Sequence, residues 1–352
     1  MRPIFLIRLP LTLLATIAAA AGPGAEGTVV WSHSLEGGMS GPPEFQSPWI
    51  ATLTRTGSLV VLESGRARPL WVRELGSAAT VGPRIADGRV LAATAAGTLS
   101  AWDLRTGDPA WSLDLPGVVG MAPGTDPEAV VLVAAEPGGL IWVDSATGEG
   151  SKRREVPGSP ASAPVICGDR ILVGTRDGRL FAFSAATREE VWERRCGLGP
   201  TGTPACSGAS VLLGCDSFLY RIGLDRGRVH WRFRTGARVA ARPGVRNGLV
   251  YFGSYDNNLY VLKHRNGHPV RVVSAGHRIH LDLLFLGDRL VLLPEAAADL
   301  LVHRLPDLEP IARLSLPGGP DLPCTAPVRL GAGLIGLGCG GDSPALHLLR
   351  IP

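Results

Sequence analysis

The sequence is poor in charged and aromatic residues and has no large block of either. Charged side chains make up 19% of its 352 residues and aromatic side chains 6%, and the formal net charge is only +4 at pH 7. Proteins that bind nucleic acid carry basic stripes, commonly interleaved with aromatic residues. The one dense basic run here, residues 152–154, has no such pattern around it. We therefore expect no nucleic-acid partner.

Motifs of known catalytic chemistry are also missing. The chain has no Gly-x-Ser-x-Gly motif and no phosphate-binding loop. His277 and His280 are three residues apart, a spacing that places two side chains on different faces of a strand. Oxygen-bearing side chains cluster at Asp256, Asn257 and Asn258, where a turn favours these residue types. The sequence thus predicts no catalytic residue, no metal site and no cofactor.

What the sequence does contain is a repeated β-hairpin. Residues 96–111 alternate apolar and polar side chains up to Leu104, turn at Gly107 and resume the alternation at Trp111. Alternation with a period of two on both sides of a glycine turn is typical of a hairpin. Related stretches occupy residues 136–148, 177–192 and 255–267. The hairpin is therefore one member of a repeat family.

The repeat has a period of about 40 residues, which indicates an array or a ring. A tryptophan follows the turn at Trp31, Trp71, Trp111, Trp192 and Trp231, and degraded copies lie near residues 151, 271 and 311. Units of four short strands bury little apolar surface alone and must stack. We predict an all-β fold, an eight-bladed β-propeller of four-stranded antiparallel blades whose N-terminal strand closes the last blade. The unbroken period predicts one domain over residues 22–352.

The repeated pattern resembles that of a known family. The pattern is Gly-x-Leu-x-Ala-[aromatic or apolar]-[Asp or Ser]-x-x-Thr-Gly-x-x-x-Trp. Residues 97–111 fit all of it and residues 178–192 nearly all of it. This is similar to the pyrroloquinoline-quinone (PQQ) repeat, which builds the eight-bladed propellers of quinoprotein alcohol dehydrogenases and of BamB, the periplasmic scaffold of the outer-membrane β-barrel assembly machine. The repeat describes packing rather than chemistry. We therefore expect the tryptophans to dock between neighbouring blades.

The resemblance implies two functions, and the residues favour one of them. Quinoprotein dehydrogenases carry a vicinal disulfide and a metal on long insertions, whereas the six cysteines here are all separated and the repeats are short. We predict that this protein is a non-catalytic scaffold for protein–protein interaction, similar to BamB. We also expect it to be a monomer, with outer-membrane assembly components as its partners. The alternative is a PQQ-dependent dehydrogenase-like propeller that binds a cofactor or ligand.

The first 21 residues differ from the rest. A basic start with Arg2 and Arg8 precedes an apolar run that ends in three alanines. This order predicts a Sec-type signal peptide over residues 1–21, and so a periplasmic or secreted protein. The apolar run is short against the roughly 20 residues that span a bilayer. No cysteine lies near the cleavage region, so the lipid anchor that BamB carries is not expected.

Two cysteines fall opposite each other in the predicted last blade. With a turn centred on residues 331–332, Cys324 and Cys339 are in register. An oxidising compartment permits a cross-strand disulfide between them, and the alternative is a pair of free buried thiols. Cys206 and Cys215 flank the equivalent turn of another blade, but they are out of register and are not predicted to pair.

The turns between the second and third strands of successive blades are expected on one face of the ring. Loops held by a rigid scaffold are where such proteins place recognition. We predict a polar interaction face that includes Arg55, Arg176, Asp177, Asp216, Tyr255, Asp256, Asn257, Glu295 and Asp342.

Overall fold

The structure is a computed structural model that describes residues 27–352 except 80, 116–119, 124–129, 136–137, 151–152, 200, 298, 317–322, 332 and 341–343. The predicted signal peptide, residues 1–21, and Asp342 of the predicted face lie outside the described residues. Within them, no helix is long and apolar enough to cross a membrane.

The described strands form eight four-stranded antiparallel sheets, numbered here along the chain. Sheet 1 consists of β2 (Glu44–Gln46), β3 (Trp49–Leu53), β4 (Ser58–Glu63) and β5 (Pro69–Glu74), and sheet 2 of β6 (Arg84–Ala86), β7 (Arg89–Ala93), β8 (Thr98–Asp103) and β9 (Pro109–Asp114). Sheet 3 consists of β10 (Gly120–Pro123), β11 (Val130–Ala135), β12 (Gly139–Asp144) and β13 (Arg154–Glu155), and sheet 4 of β14 (Val165–Cys167), β15 (Arg170–Gly174), β16 (Arg179–Ser184) and β17 (Glu190–Arg195).

The remaining sheets follow the same order from inner to outer strand. Sheet 5 consists of β18 (Ala205–Ser207), β19 (Ser210–Cys215), β20 (Phe218–Gly223) and β21 (Val229–Arg234), and sheet 6 of β22 (Gly244–Arg246), β23 (Leu249–Gly253), β24 (Asn258–Lys263) and β25 (Pro269–Ser274). Sheet 7 consists of β26 (Leu284–Leu286), β27 (Arg289–Leu292), β28 (Asp299–Arg304) and β29 (Glu309–Ser315), and sheet 8 of β30 (Val328–Gly331), β31 (Leu334–Cys339), β32 (Ala345–Arg350) and β1 (Thr28–Ser34).

The sheets stand side by side in a closed ring. One apolar cluster fills each interface between consecutive sheets. The cluster between sheets 8 and 1 includes Leu346 and Leu348 on one side and Ile50 on the other. The ring is also closed by hydrogen bonds, because β1 pairs with β32 from Thr28 opposite Arg350 onwards. The described residues therefore form a β-propeller.

The prediction of eight equivalent blades needs correction. Seven blades are complete, with outer strands of six or seven residues. In sheet 3 the outer strand β13 is two residues long and pairs only with Gly139 and Leu140. Before it, Gly150 forms an isolated bridge with Val143, and residues 151–152 between them lie outside the described residues. The reason is in the sequence, since residues 149–155 contain no apolar side chain that could pack on the neighbouring sheet.

The tryptophans join neighbouring sheets, which confirms that they are packing residues. Trp71 Nε1 donates to the Leu104 carbonyl oxygen of the next sheet at 3.0 Å. Its ring covers Gly107, where a Cβ would lie 2.7 Å from the ring. The contact repeats at the pairs Trp111 and Ser145, Trp192 and Leu224, and Trp231 and His264.

Three sheet interfaces lack this tryptophan, and at two of them the turn glycine of the next sheet is missing as well. Ser151 stands at the tryptophan position before sheet 4, whose turn carries Arg188 at φ +61°, and Arg271 stands there before sheet 7, whose turn carries Leu308 at φ +56°. Glycine tolerates positive φ without strain. Trp31 binds the turn of sheet 1, which has an alanine at this position, so the glycine accompanies most of these tryptophans but is not required by all of them.

Two buried histidines predict a loss of stability in acid. Burial lowers the pKa of His303 and of His347 below the usual value. An unfolded histidine titrates near about 6.5, so below that pH the unfolded chain binds more protons than the folded one and stability falls. Denaturant midpoints at pH 7.5 and pH 5 are expected to differ less in His303→Asn/His347→Asn than in the parent. Equal differences in the two proteins would contradict this origin.

Candidate interaction face

The turns between second and third strands lie at the same edge of the ring as the connections from one sheet to the next. Their backbones are hydrogen-bonded together: Arg55 N donates to Gly38 O at 2.9 Å and Tyr255 N to Arg238 O at 2.9 Å. We call this edge the loop face. The predicted residues on it are Arg55, Arg176, Asp177, Asp216, Tyr255, Asp256, Asn257 and Glu295.

The turns of the loop face are fixed by a short sequence pattern. The Thr54 hydroxyl accepts the Ser58 amide at 2.9 Å, and the Thr175 hydroxyl accepts the Arg179 amide at 3.2 Å. Three residues after Thr54, Gly57 has φ +98°. A hydroxyl that satisfies a turn amide, followed by a residue at positive φ, sets the backbone of the turn locally. The face is therefore preformed by its own turns.

Two carboxylates predicted for partner contact are used inside the loop face. Asp216 accepts the amides of Leu198 and Gly199 at 3.0 and 3.2 Å. Asp256 accepts the Gly236 amide at 2.7 Å. All three amides belong to connections between sheets, so each carboxylate ties a turn to a connection. These side chains are positioning residues for the loops.

Asp177 is also held by its own turn. It accepts hydrogen bonds from the Thr175 hydroxyl at 2.6 Å and from Arg179 Nε at 2.7 Å. Desolvation acts to raise the pKa of Asp177, but these hydrogen bonds outweigh it and the pKa is lowered. The group is thus a carboxylate at neutral pH whose charge is compensated by Arg179.

A second group of side chains is directed outward around Tyr255. The Arg278 guanidinium lies 5.8 Å from the Tyr255 ring centroid, and the His280 ring lies 6.2 Å from it. Arg278 also forms an ion pair with Glu295 at 4.0 Å, with both side chains about half exposed. Aromatic residues and arginine are enriched among the contact residues of protein interfaces, and this Tyr255 cluster contains both.

The loop face also contains a cleft that the sequence did not reveal. Its volume is about 550 Å³ and its lining consists of residues 37–41, Arg55, residues 323–325, residues 338–340 and Pro344. Arg55 Nε donates to the Met39 carbonyl oxygen at 3.1 Å at its edge. The cleft lies where sheet 8 meets sheet 1. Only the ring closure brings these two ends of the chain together.

The structure contains two disulfides. Cys324, which precedes β30, is bonded to Cys339 at the end of β31, and both line the cleft. The other bond, Cys167 to Cys206, links sheets 4 and 5 and was not predicted. A separation of 39 residues, about one repeat, was the available indication, because it places both cysteines at similar positions in adjacent sheets.

No metal centre is apparent in the described parts of the chain, where no group of three or more His, Cys, Asp or Glu side chains is arranged to hold an ion. His264, which lies beside the turn of sheet 6, forms a 2.7 Å hydrogen bond with the Ser207 hydroxyl.

Comparison with known proteins identifies related chains. The family model described as "Outer membrane protein assembly factor BamB" matches residues 15–126 and 115–221, more than half of the chain. A quinohemoprotein alcohol dehydrogenase ADH IIB of Pseudomonas putida is 26% identical over 169 residues, and an outer membrane protein assembly factor BamB of Moranella endobia is 27% identical over 207 residues.

The matches differ in how much of each protein they cover. The alignments take in 41% of this chain and 24% of the dehydrogenase, and 51% of this chain and 53% of the Moranella protein. The chain thus spans about half or less of these relatives. The solved structure of BamB from Moraxella catarrhalis superposes with a TM-score of 0.75 at 17% identity, over 92% of this chain and all of that one. This last likeness concerns the fold.

Proposed function

Since the chain belongs to the family of the outer membrane protein assembly factor BamB, we propose that it is a non-catalytic scaffold that binds protein partners through its loop face. The observation that carries this proposal is the family match across residues 15–221. We further propose that it acts as a monomer in the periplasm, after removal of residues 1–21, beside components of outer-membrane protein assembly.

The geometry of the loop face supports a scaffold role. Asp216 and Asp256 hold the connections between sheets in place through backbone amides. The surface is therefore ordered before a partner arrives, and little entropy is lost when one binds. The Tyr255 cluster then supplies exposed contact groups. Arg55 lies at the cleft between sheets 8 and 1, two sheets further round the ring from this cluster at sheets 6 and 7.

A cross-linking experiment tests this proposal. A photoreactive amino acid at Tyr255 is expected to capture an outer-membrane assembly protein in intact cell envelopes, identified by mass spectrometry. The matched control places the same residue at Arg226, which is exposed and lies in a turn at the opposite edge of the ring. Capture of the same protein from both positions, or of no assembly protein from Tyr255, would contradict the proposal.

The dehydrogenase match motivates the second candidate, a PQQ-dependent enzyme or cofactor binder. The chain lacks the adjacent cysteine pair of quinoprotein dehydrogenases. An absorption spectrum and a dye-linked alcohol dehydrogenase assay, each with and without PQQ and calcium, distinguish the two. Stoichiometric quinone binding with alcohol-dependent dye reduction would replace the scaffold proposal by an enzymatic one.

A further inference from the structure

Four of the six cysteines are joined in disulfides, and the remaining two belong to one interface. Cys196 follows β17 of sheet 4, and Cys215 ends β19 of sheet 5. The same two sheets are already joined by Cys167 and Cys206. Cys167 lies before the turn at the edge opposite the loop face, whereas Cys196 and Cys215 lie at the loop face. The two pairs thus occupy opposite edges of the same interface.

The connection that follows Cys196 wraps around the Cys215 thiol. Cys215 Sγ lies 3.8 Å from the Gly199 carbonyl oxygen. A Cβ added at Gly197, the residue after Cys196, would lie 2.8 Å from that sulfur. Cys196 itself packs against the apolar cluster that contains Cys215. Both thiols therefore lie in one small region between the two sheets.

The backbone of Cys196 is held against sheet 5 by a side chain of that sheet. The Tyr220 hydroxyl donates to the Cys196 carbonyl oxygen at 2.6 Å. The Thr201 backbone, at the end of the same connection, forms an isolated β-bridge with Cys215. The connection is fixed at both ends, so the two cysteines stay near each other whenever sheets 4 and 5 are assembled.

We propose that Cys196 and Cys215 form a third disulfide, which fastens sheets 4 and 5 at the loop face. The oxidant is a disulfide donor, either a thiol oxidase or oxidised glutathione. The Cys196 thiolate attacks a donor sulfur and the donor S–S bond breaks, releasing one donor thiol. The Cys215 thiolate then attacks the Cys196 sulfur of the mixed disulfide and releases the second donor thiol. Two protons and two electrons leave the protein, and the donor disulfide becomes two thiols.

The surroundings of the thiols indicate when this bond forms. Burial raises the pKa of Cys196 to about 12, with the neighbouring Cys215 adding to the shift, and burial also raises the pKa of Cys215 to about 12. The thiolate is the attacking species, so exchange in the closed interface is slow. The disulfide therefore forms during folding, while residues 196–201 are still open to the donor.

Refolding with a defined oxidant tests the disulfide. The full chain is unfolded and reduced, refolded in reduced and oxidised glutathione, and then alkylated under denaturing conditions. Trypsin releases residues 196–221 as one peptide, because no Lys or Arg lies between Arg195 and Arg221, and releases residues 155–170 with Cys167. We expect these two peptides to be linked and to carry no alkylated cysteine. Chymotryptic cuts after Leu198 and Leu212 then separate the three cysteines of residues 196–221, and we expect the peptide with Cys215 to be linked to the one with Cys196 and the peptide with Cys206 to the one with Cys167.

Matched variants make the result decisive. Cys196→Ser and Cys215→Ser should each leave one alkylated thiol, and the double variant should leave none and have a lower denaturant midpoint than the oxidised parent. Alkylation of both Cys196 and Cys215 in the refolded parent, or a bond from Cys167 to either of them, would overturn the proposal. Only the source of oxidant rests on the proposed periplasmic location. Because the experiment supplies the oxidant, its result stays the same even if the protein is shown not to be periplasmic.

Discussion

Replacing Trp71 with alanine is expected to lower the free energy of unfolding by about 3–5 kcal/mol, the range for removal of a buried aromatic side chain. The indole is 8% exposed and fills the interface between sheets 1 and 2. Its removal leaves a cavity over Gly107 and leaves the Leu104 carbonyl oxygen without its donor. Both effects act on the same interface. Equilibrium unfolding in urea, followed by tryptophan fluorescence and circular dichroism, measures the change.

The neighbouring residue provides the control. Val72 lies on the same strand but is 42% exposed. Val72→Ala should change the free energy of unfolding by no more than about 0.5 kcal/mol, as is usual for surface substitutions. A loss for Trp71→Ala as small as that of Val72→Ala would mean that the tryptophans do not hold the sheets together.

Removing the Cys167–Cys206 disulfide is expected to have the second-largest effect. Its cysteines are 39 residues apart. In the chain-entropy account, a cross-link of this span stabilises a protein by roughly 4 kcal/mol, because it restricts the unfolded chain. The variant Cys167→Ser/Cys206→Ser should therefore unfold at a clearly lower urea concentration than the parent, measured without reducing agent.

The Cys324–Cys339 disulfide is the matched comparison, since its cysteines are only 15 residues apart. The same account gives roughly 3 kcal/mol for it. Cys324→Ser/Cys339→Ser should accordingly lose less stability than Cys167→Ser/Cys206→Ser. The reverse order would show that native-state contacts around the cleft, rather than chain entropy, determine what each disulfide contributes.

Much of the fold could be predicted because the residues that pack neighbouring sheets recur at fixed positions in the repeat. The spacing of Trp71, Trp111 and Trp231 locates the outer strands, and the turn glycines locate the hairpins. The prediction was wrong at sheet 3, where the count of repeats took residues near 151 as equivalent to the others. Periodicity gives the position of a strand, but the apolar side chains that hold an outer strand are absent there.

The candidate face could be located but not described from sequence. Turn residues at one phase of the repeat must share one edge of the ring. What periodicity cannot give is the path of the irregular connections. The sequence therefore predicts Asp216 and Asp256 only as partner contacts, whereas in the structure they accept hydrogen bonds from amides of connections that follow no repeat. The cleft was missed for a related reason, since it is built from residues separated by almost the whole chain.

The closure of the ring by β1 and β32 also has a consequence for synthesis. β1 precedes every other described strand, and its partner β32 follows them all. Until residue 350 has been made, the edge of β1 is unpaired, and its Val29 and Val30 are exposed even in the finished ring. Unpaired apolar edges promote aggregation of nascent chains. The growing chain therefore carries an unpaired apolar edge for nearly the whole time taken to make it.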